Sequence, residues 1–168
     1  MDGLGQPYGS TLGHGRISHF EQHDDWVYMI GTAATAYPKT LFDRFDRLIH
    51  ASNRMEVDEG NRRVRVIGKR GEALISFVDP VTLQFHQDSQ FDAGAVCWRN
   101  GKNFPLPDQW HLKATPPNGV EARFVTVVQV SKPGGTKSVL RPREGGVEVG
   151  PWRVWLPSGI RRLKVETR

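Results

Sequence analysis

Six histidines and a few aromatic and basic clusters hold most of the chemistry this chain could do. His14, His19 and His23 lie close together. On a strand His19 and His23 share a face, while His14 is an odd step from both, so a three-ligand metal site needs a bend. No cysteine cluster supports zinc, because Cys97 is the sole cysteine and sits in an apolar Ala95-Val96-Cys97-Trp98 run. These imidazoles therefore read as surface or hydrogen-bonded groups, and Cys97 as a buried thiol. The carboxylate pairs do not make an acid/base couple. Asp24 and Asp25 are adjacent, and Asp43 and Asp46 alternate with Arg44 and Arg47 as solvated charge. No phosphate loop, nucleophile elbow or zinc-protease motif occurs.

Binding chemistry is better represented. Trp98 lies between Cys97 and Arg99 at the edge of a long loop, where an exposed indole could stack on a sugar ring. In Gln109-Trp110-His111-Leu112, Trp110 and His111 could stack on a sugar and bond its hydroxyls. The plainer reading makes Trp110 a core residue with its N–H satisfied. Arg63-Val64-Arg65-Val66 alternates charge and apolar side chains, so Arg63 and Arg65 share one strand face and are expected to point to solvent. Lys69 and Arg70 extend that patch. Further basic clusters span Arg141 to Arg143 and Arg161 to Arg168.

A period of two governs the elements that carry these residues. Ala73 to Val78 reads as a short strand ended by Asp79-Pro80, and Thr82 to His86 alternates. Val120 to Val130 reads as a long strand. Ala122, Phe124, Thr126, Val128 and Val130 share one face, and the partly apolar second face predicts a central position. Val147 to Val149, Trp152 to Leu156 and Ile160 to Val165 read as a closing meander. Leu41 to Leu48 is the one segment with helical spacing, through Phe42, Phe45 and Ile49. Long irregular loops are expected over Gln87–Pro107 and Ser131–Lys137. Short strands at close spacing predict an all-β antiparallel sandwich, one domain over residues 1–168.

A chain of 168 residues with 38% hydrophobic and 24% charged residues is globular in composition. No apolar run reaches membrane-spanning length, so no membrane partner is expected. No signal peptide is visible behind Met1, so the chain is read as cytosolic, processed, or cut from something longer. The net charge of +5 and pI near 9.7 favour polyanionic partners. Charge alone does not separate a uronate polysaccharide from nucleic acid. The aromatics are not interleaved with the basic clusters, which argues against a single-strand nucleic-acid platform.

Several short segments in order resemble the C-terminal β-sandwich of heparinase II/III-like polysaccharide lyases. They are Asp2-Gly3-Leu4-Gly5-Gln6, then Gly15-Arg16-Ile17-Ser18-His19-Phe20, then Trp26 to Tyr37. Leu48-Ile49-His50 and Arg123-Phe124-Val125-Thr126-Val127-Val128 follow. The resemblance covers roughly Asp2 to Val130 and favours a strand over Leu41 to Leu48. It implies an acidic polysaccharide ligand and a periplasmic or secreted setting. It also implies a helical toroid catalytic domain, which would precede Met1. The family's catalytic residues match no position here, so no catalytic residue is carried over. His50 matches one ligand of the family's structural metal, but Thr32 stands where the family has Asp. No metal and no cofactor is therefore expected. Tyr37 to Arg47 runs almost directly into Leu48-Ile49-His50, a strand or two short of the family pattern. That implies an unusual sheet edge, or a strand borrowed from a second copy of the chain. The implied function is a non-catalytic sandwich module that helps bind acidic polysaccharide. The alternatives are a basic nucleic-acid or generic polyanion binder, or a structural remnant.

Overall fold

In the computed structural model the described residues are 16–22, 27–32, 47–89, 96–99, 101–105, 109–117, 123–156 and 164–167. They contain no helix. The strands are β1 (Arg16–Gln22), β2 (Val27–Thr32), β3 (Arg47–Ala51), β4 (Glu56–Asp58), β5 (Arg63–Ile67), β6 (Glu72–Asp79), β7 (Gln84–Asp88) and β8 (Val96–Arg99). They continue as β9 (Lys102–Pro105), β10 (Trp110–Thr115), β11 (Val125–Ser131), β12 (Leu140–Arg143), β13 (Gly146–Val149), β14 (Trp152–Trp155) and β15 (Lys164–Thr167). The fold is all-β and antiparallel, as the period of two predicts. The chain divides into two compact units. One is Arg44–Pro142. The other joins the segment up to Asp43 with Arg143–Arg168.

The Arg44–Pro142 unit is sandwich-like. A four-stranded sheet runs β11-β6-β5-β4, and a three-stranded sheet runs β3-β10-β7. Their inner faces meet in a core of Met55, Val64, Phe77, Leu112 and Ala114. Ile49, Val66, Ile75 and Phe85 pack against it, and the Phe77 and Phe85 rings meet edge to face at 5.5 Å. Alternation explains the assignment. Leu112 and Ala114 lie two apart on β10, and Val64 and Val66 two apart on β5, so each pair turns inward together. Gln87 fixes Met55 from both sides. Its Oε1 accepts from the Met55 N–H at 2.7 Å, and its Nε2 donates to the Met55 carbonyl at 3.1 Å.

Among the described residues β11 lies at the edge of its sheet rather than at its centre. Phe124 reaches the core, but Val128 and Val130 are 55% and 76% exposed. Val128 lies opposite Ile75 and Val130 opposite Ala73, on the inner face. Three strands cannot cover four, and these valines lie at the uncovered margin. The pairing slips between Val125 and Thr126, whose partners are Asp79 and Phe77, so Val78 is an extra residue on β6.

The expected loop over Gln87–Pro107 contains a hairpin, β8–β9, with Arg99 opposite Lys102 and Gly101 at φ 72°. The expected loop after β11 holds, and starts at the end of β11. Ile49 lies on β3, a strand. Phe42, Phe45, Asp24, Asp25, Asp43, Asp46, His14, His23 and the Asp2 to Gln6 turn lie outside the described residues. The closing meander is present as β13, β14 and β15 in that order, with Ile160 to Leu163 lying outside the described residues. Gly146 is required there, because a Cβ would lie 2.4 Å from the Val154 carbonyl oxygen. Buried Glu148 accepts from Arg143 and Arg153, each at 3.1 Å.

Candidate functional site

The outer face of the three-stranded sheet follows from its inner one. With Leu112 and Ala114 turned into the core, His111, Lys113 and Thr115 face outward from β10. Opposed residues of antiparallel strands share a face. His50 is opposite His111 on one side, and Asp88 is opposite it on the other. The next rows place His86 beside Lys113 and Gln84 beside Thr115. The result is a polar strip across three strands, about 10 Å wide from the usual strand spacing. The His50 and His111 rings stack with centroids 6.0 Å apart and planes 20° apart. A groove of about 560 Å³ is lined by Gln84, His86, Lys113 and Thr115 of this face, with Leu83 and Glu59.

His111 thus lies on the outer polar face, and Trp110 does not. Trp110 packs against the core cluster from the opposite side of β10, and the Arg54 guanidinium lies 5.5 Å from its ring centre. Neighbours on a strand point apart, so the pair cannot grip one sugar together. Trp98 lies on β8 opposite Asn103, and its side chain lies outside the described residues. Among the described residues, no group of three or more histidines, cysteines and carboxylates is placed to hold a metal ion.

Arg63 and Arg65 share the outer face of the four-stranded sheet, as their spacing predicts. They are not a free basic patch. Glu56 lies opposite Arg65 and Asp58 opposite Arg63 on β4. Arg65 donates to Glu56 at 3.2 Å and to Glu72 at 2.7 Å, and Glu72 is itself buried. Lys137 reaches Glu72 at 2.6 Å and also bonds Ser131, while the Gly134 N–H donates to Glu72 at 3.2 Å. Lys137, then Arg65, then that N–H hold the Glu72 carboxyl at about 2. Both arginines lie on the outer face at intermediate exposure, the Arg65 side chain 41% exposed, and carboxylates on the flanking strands take up the charge of Arg65. Lys69 and Arg70 are exposed at the β5–β6 turn, as expected.

Sequence reasoning singled out His111 and His50 separately but did not join them to His86, Asp88 and Lys113. The alternation of Gln84 to Asp88 held a signal for one face. The strand pairing that sets the others beside it is tertiary information. No protein-family description matches the chain, and no curated protein matches it either.

Proposed function

We propose that the chain is a non-catalytic β-sandwich module that binds acidic polysaccharide through the outer face of β3, β10 and β7. The observation that carries this reading is the polar strip of His50, His111, Asp88, His86, Lys113 and Gln84 beside a groove of about 560 Å³ that Glu59 also lines. A sugar ring offers hydroxyls to donors and acceptors and its C–H face to a flat ring. The exposed His50 and His86 imidazoles can supply both kinds of contact, and Gln84 and Thr115 add amide and hydroxyl groups. Lys113 is exposed and supplies the positive charge a uronate carboxylate needs. The resemblance of the sequence to the sandwich of heparinase II/III-like lyases names the same ligand class.

The engagement of Arg65 with Glu56 and Glu72 speaks against the alternative of a generic polyanion surface on β5. Calorimetric titration with alginate and heparin oligosaccharides tests the proposal, with neutral dextran as control. Lys113→Ala is expected to weaken binding about tenfold, the scale of one charge-assisted hydrogen bond. His86→Ala is expected to weaken it less. Equal affinity for dextran, or full affinity in the Lys113→Ala and His86→Ala double variant, would remove the proposal.

A further inference from the structure

A second site lies on the other face of the sandwich unit. The strap after β11 passes over the outer face of the four-stranded sheet. It turns at Gly134, φ 72°, and the Gly135 N–H closes the turn on the Lys132 carbonyl at 2.9 Å. Lys137 then ties the strap to Glu72. Between strap and sheet is a cleft of about 220 Å³. Arg63, Ser76, Gln129 and Ser138 line its polar part, and Leu74, Val139 and Leu140 its apolar part.

One buried group in this cleft is not used by the fold, and one cation beside it is only loosely engaged. Ser76 is 4% exposed, and its Oγ has no hydrogen-bond partner among the described residues. Buried hydroxyls are nearly always bonded, and leaving one unbonded is unfavourable. Packing alone would be served by alanine. Arg63 makes no close ion pair among the described residues, though after the two Asn61 hydrogen bonds its charge helps keep the Asp58 carboxyl below its ordinary value. Asp58, opposite it on β4, is engaged by Asn61, whose backbone N–H and Nδ2 donate at 3.1 and 2.8 Å. Lys137 is spent on Glu72, so the cleft offers one cation rather than two.

We propose that this cleft binds a small organic carboxylate, held by the Arg63 guanidinium and the Ser76 hydroxyl, with its carbon skeleton against Leu74 and Val139. A single guanidinium presents parallel N–H donors that match a carboxylate and balances one negative charge. The apolar wall suits an organic group and disfavours a hydrated inorganic dianion. The volume is below that of drug-sized sites, which fits a ligand of a few carbon atoms or one sugar acid. This site does not rest on the polysaccharide reading, because it lies on the opposite sheet and takes a small molecule.

The test is titration of the full chain with sodium butyrate, sodium glucuronate, butyramide and sodium sulfate at constant ionic strength. The readout is the amide resonances of Ser76 and Gln129, so polysaccharide affinity is not involved. At least one carboxylate should give saturable shifts, while butyramide gives none and sulfate binds at least about fivefold more weakly. The better carboxylate identifies the ligand as aliphatic or sugar-derived. Arg63→Gln should weaken binding about tenfold and Ser76→Ala about fivefold, the latter without lowering the melting temperature. If Arg63→Gln does not fold, Ser76→Ala carries the test alone. Absence of saturable shifts with both carboxylates overturns the proposal. So does affinity undiminished by Ser76→Ala, or equal affinity for sulfate.

Discussion

Glu72 begins β6 with its carboxylate almost wholly buried and three donors around it. Its carboxyl is held at about 2 against an ordinary 4.5, first by Lys137, then Arg65, then the Gly134 N–H. A lowered folded pKa stabilises the fold fully above the unfolded value. That contribution is lost as the pH falls from about 4.5 toward about 2. Urea unfolding of wild type and Glu72→Gln across this window should show the wild-type advantage shrinking steadily with acid. An advantage constant from neutral pH to about 2 would contradict the assignment. This arrangement was only half visible in the sequence. The alternation of Arg63-Val64-Arg65-Val66 puts both arginines on one face. Nothing local reveals that Lys137, far along the chain, closes over Glu72.

At the scale of elements, Val64, Val66, Leu112 and Ala114 follow the period of two, and the sandwich follows from them. Two misreadings have physical causes. β11 carries apolar residues on both faces, which resembles a central strand. Its inner valines are in fact exposed because the facing sheet has one strand fewer, and strand count is not a local property. The β8–β9 hairpin is hard to read from the sequence although Asn100-Gly101 is a strong two-residue turn signal, because the flanking residues do not alternate cleanly. The exposure difference gives a direct prediction. Leu112→Ala should cost about 3 kcal/mol, since the side chain is fully buried. Val130→Ser, on the uncovered margin, should change stability by less than about 0.5 kcal/mol. Denaturant midpoints of the two variants check this, and comparable losses would show that Val130 is covered in solution.

For the whole molecule, the excess of basic residues overstates the free positive surface. Arg65, Lys137, Arg143 and Arg153 hold buried carboxylates, and Arg123 is paired with Asp79. These five of the 23 basic residues should add little to indiscriminate polyanion binding. Contacts between exposed charges are screened beyond about 8 Å at physiological salt. The ring stacking and hydroxyl hydrogen bonds proposed for the β3-β10-β7 face would not be screened in this way. The most direct measurement is competition for immobilised uronate polysaccharide, by free uronate chains and by DNA of equal charge, at rising salt. Uronate chains should displace the protein at lower concentration than DNA, and part of the uronate affinity should survive at high salt. Equal competition by DNA, with all binding lost as salt rises, would contradict a carbohydrate-binding face.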